Sequence, residues 1–401
     1  MQNKFSYKIG TRLGKNTLAR TGVISTPHGN INTPAFIVVG TKAAVKTLTP
    51  EQVSDFGTQA VLANAYHLYL QPGHKLIEEA GGLHKFMNWH KPTFTDSGGF
   101  QVLSLGSGFK KVLTLSTDVS KELAITQKGN RHAWVHEDGV VFKSHLNGER
   151  HQFTPEISMQ IQHSIGADIC FAFDELTSLM DSYEYQVESL ERTHRWAVRS
   201  LQEMRRLHAL NPDKNYQALF GVLQGAHYED LRKQAAIFMA SQDFDGYGIG
   251  GALEKKNMAK IIRWVNEILP ENKPRHLLGI SEPEDIFGAI EQGIDTFDCV
   301  SPTRIARNGT VYTATGKINV RNAQYKNRFE PIDNNCPCYT CQNYTLAYLC
   351  HLLRAKETLA GTLLSIHNEY FIIHLVDSIR ESIEDGSFFE FRSKFLSKYS
   401  K

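Results

Sequence analysis

Short apolar runs alternate along this chain with stretches of helical periodicity. The runs are Ala60–Ala63, Thr93–Thr95, Asp168–Phe173, Ala218–Leu223, Gly246–Ile249, His276–Ile280 and Thr296–Val300. Each is about as long as a strand. Ala35–Val39 and Phe371–Ile373 are further runs of strand or turn size. Between them, Ser182–Leu210, Asp230–Ser241 and Asn257–Leu269 repeat apolar residues at three- and four-residue spacing and predict helices. Near the start, Thr21–Ser25 and Ile31–Phe36 flank Pro27-His28-Gly29-Asn30 and predict a hairpin. Strand–helix alternation sustained over roughly 250 residues predicts parallel βαβ units, as a doubly wound sheet or an eight-fold barrel.

Residues at the ends of the runs favour the barrel. Six of them end in a small or polar group: Asp96-Ser97-Gly98-Gly99, Asp174-Glu175, Gln224-Gly225, Gly250-Gly251, Gly279-Ile280-Ser281 and Asp298-Cys299. In a (β/α)8 barrel such ends converge on one mouth, where active sites lie. A doubly wound sheet would gather its ligand groups at one switch point behind a Gly-rich loop, and no Walker pattern is present. Two segments break the alternation: Gly106–Arg131, polar and without period, and Arg304–His367, which holds a cysteine cluster. The expected division is therefore a barrel over 1–303 with a β extension and an insertion at 106–131, a zinc-binding basic subdomain over 304–367, and a helical segment over 368–401 completing the barrel.

Composition adds mainly exclusions. With 41% hydrophobic and 21% charged residues, the 401-residue chain is an ordinary globular mixture. No apolar stretch approaches the ~20 residues of a membrane span. Met1–Ser6 has no signal-peptide core, so a cytoplasmic protein is expected. The net charge of +2 neither demands nor excludes nucleic acid.

Candidate chemistry lies in three places. Cys336, Cys338 and Cys341 supply three thiolates within one tight turn, a pattern that reads as zinc before disulfide. Cys350, His351, His367 and His374 are candidates for the fourth ligand, and spacing alone does not choose among them. Four protein ligands would make a closed, structural site. The second place is the set of strand-end carboxylates. Asp96, Asp174 and Asp298 stand at predicted carboxyl ends, whereas Asp295 stands where its strand begins. Two carboxylates can divide glycosyl transfer into a nucleophile and an acid/base. A third carboxylate with the Gln224 amide can read the edge of a heterocycle. The third place is Arg304–Glu330, where six cations stand against one anion and Tyr312, Tyr325 and Phe329 are interleaved. That is a composition fit for phosphate.

Together these motifs resemble those of the bacterial tRNA-guanine transglycosylases, the base-exchange enzymes of queuosine biosynthesis. The matching elements are Asp96-Ser97-Gly98-Gly99-Phe100-Gln101, Phe142–Gly148, Phe173-Asp174-Glu175, Gln224-Gly225, Gly250-Gly251, Phe297–Arg304 and the cysteine cluster with His367. The resemblance implies a (β/α)8 barrel with a zinc insertion near its last strand, usually as a homodimer. It implies Asp298 as nucleophile and Asp96 as general acid/base. It assigns base binding to Asp96, Ser97, Gly98, Gly99, Phe100, Asp174, Gln224, Gly251 and Leu278, with Phe100 and Leu278 stacking on the ring. Zinc would sit on Cys336, Cys338, Cys341 and His367. The anticodon loop of tRNA would meet Gly279, Ile280, Ser281, Glu282, Pro283, Glu284 and Asp285, and also Thr303, Arg304, Ile305, Ala306 and Arg307. The implied reaction replaces the wobble guanine by a 7-deazaguanine, taken as preQ1, through a covalent tRNA–Asp298 intermediate.

The chain departs from the family pattern at Leu176, where Cys is usual, at Ala252–Lys256, at Gly279-Ile280-Ser281 and in the longer 106–131 stretch. The first two border the group carried by the deazaguanine ring, so queuine or another 7-deazaguanine is an alternative, as is exchange on DNA. A catalytically silent, tRNA-binding partner subunit is a further alternative, opposed by retention of both Asp96 and Asp298. A carbohydrate-active barrel would leave the cysteine cluster and the basic segment without a role.

Overall fold

The computed structural model describes residues 5–14, 16–100, 133–251 and 255–399. The strands, in chain order, are β1 (Ser6–Arg12), β2 (Arg20–Thr26), β3 (Gly29–Thr33), β4 (Ala35–Val39), β5 (Val61–Asn64), β6 (Thr93–Asp96), β7 (Ala133–His136), β8 (Gly139–Lys143), β9 (Arg150–Phe153), β10 (Ile169–Phe171), β11 (Ala218–Leu223), β12 (Gly246–Ile249), β13 (Arg275–Leu277), β14 (Thr296–Cys299), β15 (Thr310–Thr313) and β16 (Gly316–Asn319). Eight of them form a closed barrel in the order β4-β5-β6-β10-β11-β12-β13-β14. β4 pairs in parallel with β5 and β14, β10 with β6 and β11, β11 with β12, and β13 with β14. This is the expected (β/α)8 fold.

By contact the chain gathers into two units. The first comprises residues 1–5, 63–86 and 93–273. Its strands β6, β10, β11 and β12 are almost wholly buried, and the last three carry no charged residue, as suits strands covered on both faces. Helix starts follow the sequence chemistry. Thr154 accepts from Ile157 N, with Pro155 at the first helical position, and opens the helix Pro155–Ile165. Ser182 caps the helix Tyr183–Leu210 by the same device. The starts of β6 and β10 are tied by Asp168, which accepts from Thr93 N at 2.8 Å and lies 3.1 Å from His84 Nε2. The antiparallel sheet β7-β8-β9 also belongs to this unit, and the 106–131 insertion lies outside the described residues.

The second unit comprises residues 6–62, 87–92 and 274–401. It holds the sheet β1-β2-β3 and the barrel strands β13, β14 and β4. The expected hairpin is present, but Ile31–Phe36 is not one strand. β3 ends at Thr33, Pro34 breaks the ladder for want of an N–H, and β4 pairs with β14 as a barrel strand. The run Phe371–Ile373 is not a strand or turn; it lies inside the helix Thr358–Glu384. That helix also runs unbroken through the boundary expected at residue 367. It packs against the helix Ser301–Arg307 and against β15 and β4. Among the described residues, no helix is long and apolar enough to cross a membrane.

Candidate active site and metal centre

In the first unit, the polar groups at the strand ends are held by hydrogen bonds. Asp96 closes β6; its Oδ1 accepts from Ala65 N at 2.9 Å and its Oδ2 from the Asn64 amide, so both oxygens are held. Ser97 Oγ donates to Asp174 Oδ1 at 3.2 Å, and Gln224 Nε2 donates to Asp174 Oδ2 at 2.6 Å. Burial pushes the Asp174 carboxyl up to about 6, against the pull of these two hydrogen bonds. Glycine is required around this network. A Cβ on Gly99 would lie 2.8 Å from Asp174 O, and one on Gly251 only 2.6 Å from Gln224 Oε1. Ser97, Gly99, Asp174, Gln224 and Gly251 thus belong to one neighbourhood. Phe100 is exposed. Gln101 and residues 252–254 of the altered loop lie outside the described residues.

Glu175 is not part of this network. It is buried, bonded to Arg192 at 2.5 Å and to the Tyr185 hydroxyl at 2.6 Å, and it anchors the long helix. The turn His145–Gly148 follows β8. His145 Nδ1 lies 3.0 Å from the hydroxyl of Tyr66, whose ring is tilted against Phe142.

In the second unit, Asp298 stands one residue before the end of β14, 14% exposed. Its Oδ1 meets His276 Nε2 at 3.1 Å and Gly279 N at 3.3 Å. His276 is buried, and its other nitrogen lies 2.9 Å from Thr296 Oγ1. His276 thus bridges the Thr296 hydroxyl and the Asp298 carboxylate. Among the described residues, Asp298 Oδ2 accepts no hydrogen bond. Leu278 is half-buried in the turn after β13.

The two segments expected against tRNA are only partly available. Ser281, Pro283, Thr303 and Ala306 are buried, so their side chains serve the fold. Gly279, Glu284 and Arg304 are exposed, and Ile280, Glu282, Asp285, Ile305 and Arg307 are intermediate. Glu282 is committed to Lys317 at 2.5 Å. Two cations distant from the arginines along the chain, Lys42 and Lys46, join them. Burial and the nearby Arg307, Lys42 and Arg304 together push the Lys46 ammonium below its usual value.

The cysteine cluster closes as expected, with His367 as its fourth member. His367 Nδ1 lies 3.8, 3.5 and 3.4 Å from the sulfurs of Cys336, Cys338 and Cys341. All four donor atoms lie within 4.8 Å of one another. A tetrahedron with metal–sulfur bonds of about 2.3 Å and metal–nitrogen of about 2.0 Å has S···N edges of about 3.5 Å. The donor set therefore can hold a metal ion. His367 Nε2 donates to Tyr312 O at 2.7 Å, which fixes the ring and leaves Nδ1 free to ligate. Cys350 lies instead in the apolar core of this region.

Asn64, His276, Lys42 and Lys46 were not foreseen as site residues. Their partners lie far away in sequence, except for the cap that Asn64 gives the following helix.

Comparison with known proteins agrees with this geometry. The family model described as "Queuine tRNA-ribosyltransferase" matches residues 15–401. A protein named "Queuine tRNA-ribosyltransferase" from Thermoanaerobacter pseudethanolicus is 48% identical over 386 residues, covering 96% of this chain and 95% of the relative. One of the same name from Enterococcus faecalis is 46% identical over 388 residues, with 96% and 94% covered. One from Pediococcus pentosaceus is 44% identical over 402 residues, with 100% and 97% covered.

Proposed function

Because the chain belongs to the queuine tRNA-ribosyltransferase family, we propose that it exchanges the wobble guanine of tRNA anticodons for a 7-deazaguanine, by double displacement through a covalent tRNA–Asp298 intermediate. The enzyme is a pentosyltransferase acting on tRNA guanine.

One observation carries the division of labour between the two carboxylates. Both oxygens of Asp96 are held by hydrogen bonds, whereas Asp298 is held at Oδ1 and leaves Oδ2 unengaged among the described residues. An oriented carboxylate with one open oxygen suits a nucleophile. Both residues stand at the carboxyl ends of strands of one parallel barrel, where barrel enzymes gather their chemistry.

In this reading the guanine leaves its stack for the pocket, a step costing a few kcal/mol and cheaper in a loop than in a duplex. Asp298 Oδ2 attacks the anomeric carbon as the C–N bond breaks. Asp96 protonates the departing guanine, worth roughly 10²–10⁴-fold in rate. The incoming base then gives its proton to Asp96 and displaces Asp298, so configuration at carbon is retained. Asp174, Gln224 and the Gly251 backbone read the base edge, and Phe100 and Leu278 stack on it. The metal of the Cys3His set is zinc, a structural ion with no part in the chemistry. Gly279–Asp285 and Thr303–Arg307 face the anticodon loop through their exposed members. The working assembly is a homodimer, and the incoming base is preQ1. These last assignments rest on the motif resemblance.

The test is a denaturant-resistant adduct with tRNA. Wild-type enzyme is expected to form it and Asp298→Asn to lose it, while the Asp298→Asn protein still binds tRNA. An adduct surviving in the variant refutes the nucleophile assignment. Exchange assays with several 7-deazaguanines on one unmodified tRNA identify the incoming base.

A further inference from the structure

Arg232 lies on the helix Glu229–Ala240 and is completely buried. No carboxylate partners it among the described residues, an expensive arrangement for a guanidinium. Its donors go to main chain. Nε donates to Ala226 O at 2.8 Å, and Nη1 donates to Leu223 O at 3.1 Å and to Gly250 O at 2.9 Å. Those carbonyls belong to two turns, the one after β11 that carries Gln224 and the one after β12 that carries Gly251. Burial pushes the guanidinium down to about 9, so it remains a cation at neutral pH.

Two buried polar atoms beside it have no hydrogen-bond partner among the described residues: Arg232 Nη2, a donor, and Gln224 Oε1, an acceptor. Both border one point. A Cβ built on Gly251 would lie 3.0 Å from the first and 2.6 Å from the second. At its other end, the same amide gives Nε2 to Asp174 Oδ2 at 2.6 Å. The Gln224 amide therefore stands with an anion at its nitrogen and a cation on its oxygen side.

We infer that Arg232 is a positioning residue for base recognition: its guanidinium spaces the Gln224 and Gly251 turns and holds the Gln224 amide with its nitrogen toward Asp174. This rests on the base-exchange reading above. A reversed amide would set its oxygen against a carboxylate and present the wrong order of donor and acceptor to a purine edge. The effect belongs to the base and not to the RNA, because Arg232 is remote from bulk solvent and reaches the ligand only through those two turns.

The experiment compares wild type, Arg232→Lys and Arg232→Met in steady-state guanine exchange, with the KM for guanine and the KM for tRNA measured separately. Arg232→Met is expected to raise the KM for guanine by about tenfold, the scale of one hydrogen bond to the base misaligned when the Gln224 amide loses its orientation. The KM for tRNA should stay within about twofold. Arg232→Lys, which keeps the charge and loses the fork, should fall between the two. The inference is overturned if folded variants keep the wild-type KM for guanine, or if both KM values rise together as general loosening would require. If Arg232→Met fails to fold, Arg232→Lys decides by the same criterion. Absence of exchange in the wild type would instead sink the functional reading, so the two failures are distinct.

Discussion

A carboxylate's role follows from how many of its lone pairs the fold already uses, and at what cost in solvation. Asp174 shows both sides. Its two oxygens take hydrogen bonds from Ser97 and Gln224, yet burial outweighs them and pushes the acid from 3.8 up to about 6. A carboxyl raised on folding takes up a proton as the chain folds. Its contribution to stability is complete below the unfolded value and is lost as pH rises through about 6. Base binding has the opposite sign, since the ionised form accepts N–H groups from a guanine edge at both oxygens and with full charge, whereas the protonated form turns one oxygen into a donor. We therefore expect the KM for guanine to climb as pH falls through about 6, approaching tenfold per pH unit on the acid limb. Exchange kinetics between about pH 5 and 8 measure it. A KM for guanine that stays flat over that range would remove Asp174 from base recognition. Asp96, Asp174 and Gln224 were legible in the sequence because each follows an apolar run. His276 and Arg232 were not. One is a polar residue inside a strand-sized run, the other a cation on an amphipathic helix, and neither position announces that the side chain points inward.

At the scale of the strand, position along the element separates the aspartates that the fold uses from those proposed for chemistry. Asp295 precedes β14, and Asp298, the proposed nucleophile, stands near its end. Asp295 is completely buried. It accepts from Tyr7 Oη at 2.6 Å, from Arg20 Nε and Nη2 at 3.0 and 2.7 Å, and from Arg275 N at 2.8 Å. Asp168 plays the corresponding part before β10, with Asp174 beyond the same strand. A buried guanidinium left without its anion is the costly case, so Asp295→Ala should lose about 3–5 kcal/mol of stability. Chemical or thermal denaturation measures this, and a loss within ~0.5 kcal/mol would show that the cluster is not a stabilising hub. The sequence placed Asp295 and Asp298 on opposite ends of a strand, but it did not reveal the ion pair, whose partner Arg20 is distant in the chain. Strand limits show the same boundary of legibility. Ala218–Leu223 and Gly246–Ile249 matched to the residue, whereas the run His276–Ile280 yields a strand of Arg275–Leu277. Apolar character continues past the point where the neighbouring strand stops offering partners, and a one-dimensional pattern carries no information about the neighbour.

For the molecule as a whole, the closed barrel could be read from where the polar groups fell, after each run and seldom within it. The charge distribution could be read only in part. A net charge of +2 gives no reason to hold a polyanion. The segment from Arg304 to Glu330 does, and Lys42 and Lys46 join it across a separation no sequence window spans. Mutual crowding of four cations, enough to help lower the Lys46 ammonium, is a standing electrostatic cost, which a phosphate would relieve. If Arg304 is one of the contacts, each phosphate it neutralises releases counterions, and log affinity falls with log salt by roughly 0.7 per contact on single-stranded RNA. Arg304→Ala should then weaken tRNA binding at low salt and flatten the plot of log affinity against log salt by about one contact's worth. Because the loss is electrostatic, wild type and variant should converge as salt rises. A parallel displacement of the two plots would mean instead that Arg304 acts through the fold of its own helix, and the phosphate contact would have to be sought at Lys42, Lys46 or Arg307.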